Sequence, residues 1–293
     1  MREERVFIPS AAGRLAGVLH RPEGAAGPRA AFLVLHGFGS TKETDNCLVP
    51  CRMLAALGYV ALRFDMRGCG ESEGTRGRVI CLEQVEDTRN ALGWLAGRAE
   101  VDGARIGCFG SSFGGAVAVY AGGVDGRVAA VVSSGGWGDG ESKFRAQHKG
   151  EEAWARFSTM LREGLAERAR SGRSVMVPRH DIVPIPPHLR GNLKTNAIQE
   201  FPIDTVESMY NFRANDVVGR IAPRPLLLLH SAADSVTPTE QSIEMFRHAG
   251  QPADLHLFAD IDHFMFAAQN HLVRATIELW LAKYFPPVPA AAQ

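Results

Sequence analysis

The chain has 293 residues, 45% hydrophobic and 22% charged, and its 32 basic and 32 acidic side chains balance to a formal net charge of zero. That length suits one large α/β domain with an insertion, or two small domains, and the even charge gives no footing for a nucleic-acid or polyanion partner. No apolar run approaches the roughly 20 residues of a membrane span, the N-terminal MREERVFIPS carries no secretory pattern, and five scattered cysteines suit a reducing cytoplasm.

Taken in order, Arg5–Pro9 and Arg14–His20 predict two short strands around a turn at Ala11-Ala12-Gly13. Ala30–Leu35 is a continuous apolar run, the pattern of a strand buried on both faces, and it ends in His36-Gly37-Phe38-Gly39. A helix is expected over Thr44–Leu57, stopped by Gly58, and then a strand over Tyr59–Asp65 that leads into Met66-Arg67-Gly68-Cys69-Gly70. Cys47 and Cys51 fall one helical turn apart, but without His or Cys at ligand spacing they are read as packing thiols, and no metal site is expected. Leu82–Arg98 predicts an amphipathic helix with Leu82, Val85, Leu92 and Leu95 on its apolar face.

Arg105–Gly123 predicts a strand, a sharp turn and a helix in immediate succession, and Val128–Ser133 a further buried strand. From Trp137 to Val217 the sequence is richer in charge and mixed in pattern, with a helix expected over Glu151–Ser171 and a proline-rich stretch over Pro178–Arg190. Residues 137–217 are therefore expected to form a cap inserted into a core made of 1–136 and 218–293. Strand and helix signals resume with Pro223–His230, Thr239–Ala249, Asp254–Phe258 and Leu272–Tyr284, before a tail, PPVPAAAQ, expected to be disordered. Strands alternating with helices at this spacing predict a doubly wound, mostly parallel sheet.

The turn at residue 112 carries the chemistry. Gly110-Ser111-Ser112-Phe113-Gly114 is a G-x-S-x-G pattern between strand and helix, which would expose the central serine at a strained corner. Gly70-Glu71-Ser72-Glu73-Gly74 matches the same pattern, but no helix follows it, and two glutamates beside a developing oxyanion have the wrong sign. Ser112 is therefore the expected nucleophile and Ser72 a turn residue. A serine hydroxyl needs a base, and the base an orienting acid. In an open α/β sheet such groups lie past the carboxyl ends of strands. Asp234 falls in the loop after one late strand and His263 in the loop after the next, while Asp260 and Asp262 are rivals for the acid. The order Ser112, Asp234, His263 is the one found in α/β-hydrolases.

With HGFG at His36, DMRGCGES at Asp65, GSSFG at Gly110, HSAADSVTP at His230 and DHF at Asp262, residues 30–136 and 222–284 resemble an α/β-hydrolase of the serine-hydrolase type. The similarity points to the dienelactone-hydrolase, serine-aminopeptidase and acyl-peptidase-related branches. It implies an oxyanion hole made by the backbone N–H groups of Phe38 and Phe113, with His36, Asp65 and Arg67 in structural roles. It also implies a catalytic triad of Ser112, His263 and Asp234 acting on a small-molecule acyl substrate, a carboxylic ester first, without metal or organic cofactor. Amide, peptide or C–C bond hydrolysis and acyl transfer are the alternatives, because one triad serves all of them. A non-catalytic binding protein on the same fold would be expected to lack a triad member. In the cap, an apolar stripe of Trp154, Phe157, Met160 and Leu161 is read for most of its residues as packing that holds the cap to the core, and with Ile182–Pro187 it is expected to form one wall of the pocket over the site.

Overall fold

The computed structural model describes residues 1–24, 27–193, 196–267 and 270–288. Its centre is an eight-stranded sheet in the order β1-β2-β4-β3-β5-β6-β9-β10. The strands are β1 (Arg2–Ser10), β2 (Gly13–Arg21), β3 (Arg29–Leu35), β4 (Val60–Phe64), β5 (Val101–Ser111), β6 (Val128–Ser134), β9 (Leu226–Ser231) and β10 (Ala253–Phe258). β1–β2 and β2–β4 pair antiparallel, and every other neighbouring pair is parallel. The expected doubly wound, mostly parallel α/β architecture is thus observed.

Alternation along β3 explains the layers. Ala31, Leu33 and Leu35 point to a core shared with helices α2 (Cys81–Ala96) and α3 (Phe113–Val124). Ala30, Phe32 and Val34 point to the opposite core, shared with α1 (Asp45–Ala56) and α10 (His271–Tyr284). Period-two alternation in a strand apolar at every position requires cover on both faces, and the helices supply it.

Two details differ from the sequence reading. On α2 the buried stripe is Cys81, Val85, Thr88, Ala91, Leu92 and Leu95, whereas Leu82 is 56% exposed. Cys81 lies four residues before Val85 and so takes the place assigned to Leu82, which is rotated about 100° away. The start of the expected disordered tail is tethered, since Pro286 and Pro287 accept hydrogen bonds from the Arg105 guanidinium and the Ala30 N–H. Residues 289–293 lie outside the described residues.

Between β6 and β9 the chain leaves the sheet. It forms α4 (Gly140–Gln147), α5 (Glu151–Ser171), the short strand β7 (Met176–Pro178), α6 (Arg179–Ile182), β8 (Glu200–Pro202), α7 (Ile203–Asn211) and α8 (Asn215–Val218). β7 and β8 pair antiparallel as a separate two-stranded ribbon. The apolar stripe of α5 does not behave as expected. Phe157 stacks on Phe144 and beside Trp154, and the Arg145 guanidinium lies over the Trp154 ring. Trp154 and Phe157 thus pack α5 on Phe144 and Arg145 of α4, and none of the four stripe residues lines the serine pocket. After β9 comes α9 (Glu240–His248), which packs against β9 and β10.

Candidate active site

The G-x-S-x-G turn has the geometry its glycines permit. Ser112 sits between β5 and α3 with φ 55° and ψ −118°, a strained conformation for a residue with a side chain. A Cβ on Gly110 would stand 2.6 Å from the Gly115 nitrogen, and one on Gly114 would stand 2.6 Å from the His36 carbonyl oxygen and collide with that of Leu35. Only glycine allows strand and helix to approach this closely. The Ser112 N–H donates to the Ser134 carbonyl at 2.8 Å, and its carbonyl accepts from the Gly115 N–H at 2.9 Å, so the corner is held from both sides.

The loops after β9 and β10 converge on Ser112. His263 Nε2 lies 2.9 Å from Ser112 Oγ, and His263 Nδ1 lies 2.8 Å from Asp234 Oδ2. A carboxylate only accepts, so Nδ1 carries the proton and Nε2 is left to accept from the serine hydroxyl. Asp234 is fully engaged. Its Oδ1 accepts the N–H groups of Val236 at 2.8 Å and Thr237 at 2.7 Å, and His230 Nε2 stands 3.3 Å from Oδ2. Burial alone would raise the Asp234 carboxyl; the facing charge of His263 and the hydrogen bonds from His230 and His263 outweigh it and hold the group well below the usual carboxylate range. The structure thus brings Ser112, His263 and Asp234 together.

Among the described residues neither rival acid bonds the His263 ring. Asp262 accepts from the Ser235 N–H at 2.9 Å, from Ser235 Oγ at 2.7 Å and from the His263 N–H at 2.7 Å, so it ties the loop of the acid to the loop of the base. Asp260 occupies a turn with φ 56°. The decoy Ser72 accepts from the Ala16 N–H at 2.8 Å and donates to the Asp65 carbonyl, inside a turn that no helix follows. Asp65 receives the Lys42 N–H and ammonium, both at 2.7 Å, and Arg67 is held by Asp87. His36 is buried and accepts the Met66 N–H at 3.1 Å, and its burial pushes its basicity down.

The loop after β3 runs beside the serine, since a Cβ on Gly37 would stand 3.7 Å from Ser112 Cβ. Phe113 is the first residue of α3, where the helix has no carbonyl to offer its N–H. Neither the Phe38 nor the Phe113 N–H donates to another described residue. Over Ser112 lies a cavity of about 50 Å³, lined by Phe38, Ser112, His263, Arg179, Val183 and Ile185 among others. Three features of the site escaped sequence reasoning: the second contact of His230 to Asp234, the tie made by Asp262, and the presence of Arg179 in the cavity lining. For His230 the HSAADSVTP run was the available signal, placing a histidine four residues before the acid.

Parallel strand order, a strained serine between strand and helix, and an acid and a base on later strand loops define an α/β-hydrolase fold. The family model described as serine aminopeptidase, S33, matches residues 26–269, and the chain belongs to that family. It is 26% identical over 242 residues to an Escherichia coli protein described as an uncharacterized 31.7 kDa protein in the traX-finO intergenic region, covering 80% of this chain and 82% of that one. It is 26% identical over 275 residues to the thiohydrolase aneE of Aspergillus aculeatus, covering 85% and 82%. The crystal structure of hypothetical protein PA2218 from Pseudomonas aeruginosa superposes with a TM-score of 0.79 at 24% identity, covering 97% of this chain and 94% of that one. Among the described residues no helix is long and apolar enough to cross a membrane.

Proposed function

We propose that the protein is a serine hydrolase that cleaves a carboxylic ester or a related acyl bond through an acyl-enzyme on Ser112. The observation that carries this is the hydrogen-bonded line from Ser112 Oγ through His263 to Asp234, opening on a cavity. In this reading Ser112 Oγ attacks the acyl carbon as His263 Nε2 takes its proton. The tetrahedral alkoxide is held by the N–H groups of Phe38 and Phe113, and the leaving group departs with the proton from His263. Water then enters, His263 again takes a proton, and the acid product leaves. Asp234 keeps the imidazole in the required tautomer throughout.

The substrate is a small molecule with a short acyl group. A cavity of about 50 Å³ has room for roughly three to five water-sized atoms, and Val183, Ile185, Leu193, Val236 and Phe264 make its wall apolar. Residues 137–217 act as the cap that closes this space, through Arg179, Val183 and Ile185 rather than through α5. The similarity to a thiohydrolase supports a thioester as the variant acyl bond. Five free, buried cysteines support a reducing, cytoplasmic setting.

The test is a hydrolysis screen of acetyl, butyryl and octanoyl esters beside the matching thioesters and amides, with Ser112→Ala as control. Turnover of the two short esters or thioesters that is lost in Ser112→Ala is expected. Absence of turnover on every acyl substrate would overturn the reading.

A further inference from the structure

Arg179 is the largest charged group in the interior that the proposed reaction leaves unused. It opens α6, in the cap, and is only 2% exposed. Among the described residues no carboxylate lies within ion-pair distance of it. All its hydrogen bonds go to backbone carbonyls: Nε to Ile198 at 2.6 Å, Nη1 to Phe38 at 2.9 Å and Nη2 to Gly39 at 2.8 Å. Two of those carbonyls belong to the loop that carries Phe38 and runs beside Ser112. The guanidinium lies 5.3 Å from the ring centres of both Phe38 and Phe201, which stack on each other at 4.2 Å. The neighbouring backbone is cut to fit. Gly39 has φ 50°, and a Cβ there would stand 2.8 Å from Arg179 Nη2 and collide with Phe201. The Ile198 N–H also donates to the Gly39 carbonyl at 3.0 Å, and the Arg179 N–H to the Gln199 carbonyl at 2.7 Å.

Burying a guanidinium without a counter-ion is costly, and a hydrophobic side chain would fill the same space without that cost. Burial pushes Arg179 down to about 10, so it remains charged at neutral pH. Its planar fork is suited to holding two carbonyls of one loop at once. We propose that Arg179 is a positioning residue that clamps the Phe38–Gly39 backbone from the cap, so that the Phe38 N–H is aimed at the oxyanion and docking of the cap completes the oxyanion hole. Arg179 also lines the same cavity as Ser112 and His263. This rests on Ser112 and Phe38 acting as proposed above.

The experiment compares Arg179→Lys and Arg179→Met with Phe201→Leu, which disturbs the same packing without removing the fork. Each is assayed on an acetyl ester and titrated with a trifluoromethyl ketone, which adds to Ser112 and forms an oxyanion, and with the matching methyl ketone, which competes without doing so. Melting temperatures are recorded. Both Arg179 variants should lower kcat by about 30- to 300-fold, reaching the lower part of the roughly 100- to 1000-fold loss that follows removal of an oxyanion donor, with KM changed less than threefold. Trifluoromethyl ketone affinity should fall in parallel, while methyl ketone affinity stays constant. Lysine should rescue less than tenfold, since one ammonium does not bridge both carbonyls. If Arg179→Met does not fold, Arg179→Lys, which keeps charge and stem, carries the test alone. Wild-type kcat in Arg179→Lys, or a loss equal to that of Phe201→Leu and tracking melting temperature, overturns the clamp while leaving the hydrolase reading intact. A wild-type protein that neither turns over esters nor reacts with a fluorophosphonate overturns the hydrolase reading, and the clamp with it.

Discussion

Replacing Asp234 by Asn changes one atom and inverts the logic of the site. The Asn oxygen can keep the two N–H groups of Val236 and Thr237, bonded to the carboxylate at 2.8 and 2.7 Å. The amide nitrogen then faces His263 Nδ1, which lies 2.8 Å from the carboxylate in the native protein. An NH₂ donates, so Nδ1 must accept, and the ring proton moves to Nε2, which points at Ser112 Oγ and can no longer take its proton. The expected loss in kcat for the wrong tautomer is about 10⁴-fold, or about 5.5 kcal/mol. The fold should survive, because the two loop hydrogen bonds remain and Asp262 still ties the loops. A depressed carboxyl contributes stability that is present above its unfolded value of about 4 and is lost as pH falls through its folded value. The stability difference between wild type and Asp234→Asn should therefore shrink below pH ~4. The assay is ester hydrolysis with melting temperatures alongside, and Asp262→Asn as comparison, expected to lose less than tenfold. A folded Asp234→Asn protein keeping more than a tenth of wild-type kcat would refute the reasoning, and a severe loss in Asp262→Asn alone would move the role to that residue.

Other perturbations test other parts of the account. Lys143 is buried beside the rings of Phe144 and Trp137, and burial pushes its ammonium down to about 7. Below pH 7 it is charged in both states and the full penalty applies; between 7 and about 10 the unfolded chain holds more protons, so stability rises with pH. Lys143→Met should stabilise by about 2–4 kcal/mol below pH 7 after allowing for the lost cation–π contacts, with the gain vanishing near pH 10 in urea melts. Gly114→Ala puts a Cβ into the carbonyls of Leu35 and His36 and should cost about 3 kcal/mol or leave the protein insoluble, as read by denaturant midpoint. Ile185→Ala should widen the cavity and shift the kcat/KM ratio toward octanoyl esters, whereas Met160→Ala on α5 should leave that ratio unchanged.

The core was legible because its strands bear physical marks that short windows retain. Ala30–Leu35 is apolar throughout; outside the core, α5 of the cap runs from Glu151 to Ser171 as expected, because acidic residues open it and the left-handed Gly172 closes it. α4, α7 and α8 were not legible. They have eight, nine and four residues, at most two and a half turns each, in a stretch of mixed pattern. Ser112, Asp234 and His263 could be located because each falls at a strand end with its own local pattern. Arg179 offered no such pattern. Two of its three carbonyl partners lie 141 and 140 positions away in the chain, and a carbonyl has no sequence signature. The pocket-wall role expected of the α5 stripe fails for a related reason: helical spacing shows that Phe157 will be buried, but not that it is buried against Phe144 of α4.

The central claim is that Ser112 is the nucleophile, and the most direct measurement is the site of covalent capture. Incubation with a fluorophosphonate followed by peptide mass spectrometry should place a single adduct on Ser112, with no adduct in Ser112→Ala and greatly slowed labelling in His263→Ala. An adduct on Ser72, or labelling that persists undiminished in Ser112→Ala, would contradict the account.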